Sequence, residues 1–192
     1  VYMIINLCTN FVNFICEDNF NDEDKEVMEY VLRVVIFEFL KIAGNLVIFY
    51  FMGYFIETFI IMLSISLIKP FIGGYHCPTQ IRCFFITFII NISIILLSKN
   101  CTLNLISLII LLAASFMAIY HQAPVINEHM PLTKPDLISK NRRRGLFNLT
   151  LISFIAIIFY FYNIYYSYIL IWSILSLALL MFNRLSWKNN LK

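Results

Sequence analysis

The sequence predicts an all-α fold: a polytopic membrane helical bundle of about six transmembrane segments, preceded by an N-terminal amphipathic interfacial helix. Three observations predict it. Of the 192 residues, 61% are hydrophobic and only 13% are charged, about half the charged share of a soluble domain. Apolar runs close to spanning length recur along the whole chain. The residues that interrupt them are glycines, prolines and short polar clusters, which punctuate helices. Nothing marks a separate soluble domain or a solenoid repeat, so residues 1–192 read as one integral membrane domain. The 19 Phe and 11 Tyr read as lipid-facing bulk and interfacial anchors. A base-stacking surface is not expected, and neither is a nucleic-acid partner.

Residues 1–20 open the chain. Ile4, Ile5, Cys8, Phe11, Val12, Ile15 and Cys16 recur at helical spacing, with Asn6, Thr9, Asn10 and Asn13 opposite. No basic leader or small-residue cleavage site precedes them, which argues against a signal peptide. An interfacial helix fits, as does a helix packed on the bundle. An acidic loop follows, carrying Glu17, Asp18, Asp22, Glu23, Asp24 and Glu26.

Val27 to Met52 is apolar but contains Glu29, Arg33, Glu38, Lys41 and Asn45. Charges inside a span are costly and should pair or face protein or water. Glu29 with Arg33 has the favourable i,i+4 order, and Glu38 with Lys41 is an i,i+3 pair. On one reading these pairs set helix packing. On the other, the face shared by Glu38, Lys41 and Asn45 lines a cavity reaching the active site. Gly53 then separates a short run, Tyr54 to Ile68. A single long span over residues 42–68 is the alternative.

The later runs are clearer. Phe84 to Leu97 leads to a turn at Ser98-Lys99-Asn100, and Leu103 to Tyr120 returns. Residues 121–145 read as a polar basic loop with three prolines and Arg142-Arg143-Arg144. Leu146 to Phe161 and Tyr165 to Phe182 form a final pair around Tyr162-Asn163, before a basic tail. The positive-inside rule puts the 121–145 loop, the tail and the stretch bearing Lys69 and Arg82 on the cytoplasmic side. Five cysteines without regular spacing fit a reducing compartment better than a disulfide framework.

Chemistry concentrates in residues 69–83, where Gly73-Gly74-Tyr75-His76-Cys77-Pro78 and Cys83 interrupt the apolar sequence. A thiolate attacks carbonyls, and an imidazole takes the proton. Pro78 suits a first helical turn, so a helix starting near residue 78 or 79 puts Cys83 in its first or second turn. The helix dipole there favours a thiolate, and His76 beside it would lower the thiol pKa further. Gly73 and Gly74 permit close backbone approach or form an ordinary helix C-cap. Gln80 or a nearby amide is a candidate oxyanion donor. Lys69 and Arg82 are candidate contacts for headgroups or a substrate carboxylate, and Glu38 and Lys41 join them on the cavity reading. Cys77 competes as nucleophile. His76, Cys77 and Cys83 match no common zinc pattern, so no metal or cofactor is expected.

Gly73-Gly74-Tyr75-His76, six further residues and then Cys83, opening a hydrophobic segment after basic Lys69, resembles the AgrB family. Those are the accessory gene regulator B proteins, membrane cysteine endopeptidases of Gram-positive quorum sensing. Ala123-Pro124-Val125 through Pro131-Leu132 is similar to a further family segment, although Ile126 and His129-Met130 depart from its pattern. The resemblance implies that His76 and Cys83 are the catalytic pair. It also implies an AgrD-like propeptide substrate, cyclised to a thiolactone or lactone after loss of its acidic tail, and a homodimer in the cell membrane. Arg142-Arg143-Arg144 would hold that tail or simply fix topology. A small peptide transporter, built on Glu29, Arg33, Glu38, Lys41 and Glu57, is the competing expectation.

Overall fold

The computed structural model describes residues 6, 8–12, 21–74, 79–125 and 135–182. Among them the chain forms six long helices and no strand: α1 (Asp22–Phe51), α2 (Phe55–Ile72), α3 (Gln80–Asn100), α4 (Leu105–Gln122), α5 (Pro135–Tyr162) and α6 (Ile164–Met181). All six are long and apolar enough to cross a membrane. The molecule is therefore an all-α polytopic membrane bundle. It divides into two compact units, Val1–Ile48 and Phe49–Lys192.

In the first unit, residues 8–12 are helical, with Cys8 and Val12 buried and Asn10 exposed. Phe11, expected on the apolar face, is exposed, because it lies about 100° round the helix from Val12. The rest of the 1–20 segment lies outside the described residues. Thr9 donates to the Glu29 carboxylate at 2.9 Å, and Glu29 also pairs with Arg33. α1 begins at Asp22, so part of the expected acidic loop is helical. Acidic residues suit a first helical turn, where the dipole is positive. Glu38 pairs with Lys41, and the Asn45 amide donates to the Lys41 carbonyl at 2.9 Å. Glu29, Arg33, Glu38, Lys41 and Asn45 thus each have a partner within their own helix.

In the second unit, the chain breaks between α1 and α2 at Gly53, whose φ is +78°. The Gly53 amide donates to the Tyr50 carbonyl at 3.1 Å, and the Tyr54 amide to the Phe49 carbonyl at 2.8 Å. This break in the helix rules out one continuous span over residues 42–68. α2 has 18 residues, about 27 Å at 1.5 Å per residue, close to the hydrocarbon thickness of about 30 Å. The expected turn at Ser98-Lys99-Asn100 is instead the last turn of α3. There Ser98 and Asn100 bond back to the carbonyls of Ile94 and Leu96 at 2.8 Å each. The reversal comes at 101–104, and Asn104 caps α4 by accepting the Ser107 amide at 2.8 Å.

The largest departure concerns the basic loop expected over 121–145. α4 runs through His121 and Gln122, and α5 starts at Pro135. Arg142, Arg143 and Arg144 therefore lie in a helix. Its start suits the sequence: proline lacks only an amide that a first turn leaves unbonded anyway, and Asp136 lies in the positive end of the dipole.

α6 is the most buried of the spans and touches α2, α3, α4 and α5. Its residues Leu170, Ile171, Ile174, Leu177 and Met181 share one core with Ile68 and Ile72 of α2, Leu108 and Ile119 of α4, and Leu149 and Ala156 of α5. Apolar side chains gain little from leaving lipid, so close packing and interhelical hydrogen bonds carry association. Ser167 supplies one such bond, donating to the Ala156 carbonyl of α5 at 2.7 Å. A second core joins Phe49, Ile61, Ile94, Ile95 and Ile169.

Candidate active site

Three backbone segments meet at one end of the second unit. α2 ends with its Gly73 amide bonded to the Lys69 carbonyl at 2.9 Å. Gly73 has φ +76°, a left-handed conformation that side chains resist. The residues after α4 then lie against this cap. Ala123-Pro124 is a cis peptide, and the Val125 amide donates to the Ile72 carbonyl at 2.8 Å. A Cβ on Gly73 would collide with the Val125 carbonyl oxygen, and one on Gly74 would lie 3.6 Å from the Leu180 carbonyl oxygen. Gly73 thus serves as both cap and close-approach point.

α5 completes the arrangement from the side. A Cβ on Gly145 would approach Ile72 Cγ2 to 2.5 Å. One turn on, the Asn148 side-chain amide donates to the Leu67 carbonyl at 2.6 Å. Pro70 sits inside α2, where its ring and missing amide disrupt the bond to the carbonyl four residues back. Partners from α5 and from Val125 therefore hold the last turn of α2.

On the far side of the break, Thr79 caps α3 and accepts the Arg82 amide at 3.4 Å. The Cys83 amide bonds to the Thr79 carbonyl at 3.0 Å. Cys83 is thus the fourth residue of α3, where the expected helix start places it. It is half-buried, while Gln80 and Arg82 are exposed. Helical Cβ atoms tilt toward the N-terminus. The first amides of a helix have no partner within it, so the turn that precedes Cys83 carries Gln80 and Ile81 amides outside the helical ladder. Five peptide links join Gly74 to Thr79, which limits their separation to about 19 Å.

His76, Cys77 and Pro78 lie outside the described residues, so the geometry of the expected pair is not described. Gly73 and Gly74 come together with Val125 and Leu180; Gln80, Arg82 and Cys83 occupy one turn of α3. Lys69 is half-buried in the last turn of α2. Glu38 and Lys41 pair with each other in α1. Of the other thiols, Cys8 is buried and Cys101 half-buried, and no disulfide joins them to each other or to Cys83.

Sequence reasoning missed the contact of Val125 with Ile72 and the role of Gly145. A signal existed for the second: a lone glycine in a helical stretch usually has a packing reason. For the first, the prolines suggested only a loop.

No solved structure matches the chain. A curated AgrB-like protein 1 of Clostridium perfringens is 43% identical over 166 residues, covering 85% of this chain and 88% of the relative. The family described as accessory gene regulator B matches residues 8–182, a range that takes in all six helices and the break between Gly74 and Thr79. The chain belongs to the accessory gene regulator B (AgrB) family.

Proposed function

We propose that this protein is a membrane cysteine endopeptidase that cleaves and cyclises an AgrD-like signalling propeptide for quorum sensing. The observation that carries the reading is the position of Cys83 in the opening turn of α3, in a chain of this family. In this reading the thiol sits beside the opening amides of α3, which have no partner within the helix.

In this reading the Cys83 thiolate attacks the peptide carbonyl that precedes the acidic tail. His76, holding the thiol proton as imidazolium, passes it to the tail nitrogen as the C–N bond breaks. The remaining peptide is left as a thioester on Cys83. The peptide's own thiol or hydroxyl then attacks that carbonyl and gives its proton to His76, and Cys83 departs as thiolate. Tethering gives the internal nucleophile a high effective concentration over water. The Gln80 side chain and the amides opening α3 are the oxyanion donors of this reading. Lys69 and Arg82 contact headgroups or the substrate carboxylate, and Gly73 and Gly74 let the peptide pass close to the main chain. The loop faces the cytoplasm, where thiols stay reduced, and the enzyme works as a homodimer in the cell membrane of a Gram-positive bacterium.

The charged groups on which the transport expectation rests have partners. Glu29 with Arg33 and Glu38 with Lys41 are satisfied within α1, and Glu57 accepts from Tyr165 at 3.5 Å. The deciding experiment reconstitutes the full-length protein with a tagged cognate propeptide and follows both products by mass spectrometry. Wild type should release the tail and carry an acyl adduct on Cys83. Cys83→Ala and His76→Ala should insert normally and release none. Tail release by Cys83→Ala would end the proposal.

A further inference from the structure

A second site lies where α4 and α5 come together, outside the Cys83 turn. A cavity of about 510 Å³ is lined by Tyr120, Pro124, Ile138, Arg142, Arg143 and Leu146, together with Ser139. Most of the lining is apolar, yet it holds two guanidinium groups. Arg142 is fixed in place: its Nη2 donates to the Tyr120 carbonyl at 3.0 Å, and its guanidinium lies 4.9 Å from the Tyr120 ring centre. Its Nε is buried with no hydrogen-bond partner among the described residues. Arg143 is exposed. Among the described residues, the ion pairs join only Glu29 with Arg33 and Glu38 with Lys41; neither arginine of the cavity takes part in one.

Helix length fixes the depth of this cavity. α5 has 28 residues, about 42 Å of helix, against a hydrocarbon core of about 30 Å. Its stretch from Leu146 to Tyr162 carries no charged residue, and it fills most of that core. The arginines one turn earlier then fall at headgroup level. Tyr120, near the end of α4, is at the same level, where tyrosines gather in membrane proteins. Phe147, Met117 and Leu137 are exposed nearby, as expected of lipid-facing surface.

We propose that this cavity binds the phosphodiester headgroup of an anionic phospholipid, with Arg142 and Arg143 on the phosphate and Ile138, Pro124 and Leu146 against the glycerol and upper acyl chain. Basic pockets between spans are the usual means of holding such headgroups, and the planar arginine fork suits phosphate oxygens. The site stands apart from the peptidase reading and holds whether or not Cys83 is a nucleophile.

The test is native mass spectrometry of the full-length protein in detergent, titrated with phosphatidylglycerol or phosphatidylcholine. Wild type should retain phosphatidylglycerol preferentially. Arg143→Gln, which removes the charge of an exposed side chain, should weaken retention about fivefold, and the Arg142→Gln/Arg143→Gln double variant should weaken it more. Arg144→Gln makes the same charge change outside the cavity lining and should retain the preference. Thermal unfolding confirms that each variant is folded. Should the double variant misfold, Arg143→Gln against Arg144→Gln decides alone. The proposal is overturned by an equal loss in Arg144→Gln, which means diffuse surface charge. It is overturned too if millimolar inorganic phosphate displaces the lipid, which means a free-phosphate site. Displacement by a short polyglutamate peptide, lost in Arg143→Gln, would give the cavity to an acidic peptide segment instead.

Discussion

The two ends of the second unit are held together by different means. At the end containing Tyr54, side chains do the joining: Lys99 donates to the Tyr54 hydroxyl at 2.7 Å and lies over its ring. There the Tyr168 hydroxyl bonds both the amide and the carbonyl of Leu103, at 2.9 and 2.8 Å. At the end containing Gly73, the Asn148 side chain bonds the Leu67 carbonyl, but backbone also meets backbone, with Val125 bonded to Ile72 and glycines at the closest approaches. Long side chains tolerate small displacements of their helices, whereas contacts that need a missing Cβ do not. The end with the glycine close approaches is the one from which the chain leads to Cys83.

That contrast can be broken by substitution. Gly73→Ala combines the left-handed φ with a collision against the Val125 carbonyl, so it should cost the most, about 3 kcal/mol. Thermal unfolding in detergent measures the loss, and propeptide processing should fall with it. Gly145→Ala should follow at about 1–2 kcal/mol, since crowding Ile72 is partly offset by alanine's better helix propensity. At the opposite end, Tyr168→Phe gives up two hydrogen bonds, for about 1 kcal/mol, and should leave processing unchanged. Lys99→Met removes an exposed cation–π contact and should shift stability by only about 0.5 kcal/mol. If Tyr168→Phe slowed processing as much as Gly145→Ala at matched stability, the two ends would not differ in the way described.

The sequence showed the spans well because burial in lipid demands long apolar runs, and those need no tertiary information. It showed the turn at Asn163, and it put Cys83 near a helix start because Pro78 and Thr79 signal one. The i,i+4 and i,i+3 pairs in α1 were legible for the same local reason. Boundaries set by tertiary contact were not. Polarity made residues 135–145 look like a loop, yet a helix that overshoots the bilayer can be polar in its protruding turns. The docking of Val125 on Ile72 joins residues 53 positions apart through backbone atoms alone, and backbone atoms leave no side-chain pattern to read.

The proline within α2 has a consequence for exchange with solvent. Pro70 leaves the helical ladder one bond short just before the break, and Asn148 and Val125, donating to the Leu67 and Ile72 carbonyls, tie this end of the helix from outside it. The Val125 amide is therefore protected from deuterium only while the end of α2 stays docked. Its exchange rate, measured peptide by peptide, is a local clock for undocking at the Gly73 end. Substrate or lipid that tightens that end should slow it, and Gly145→Ala should quicken it, while amides in the middle of α6 keep their pace.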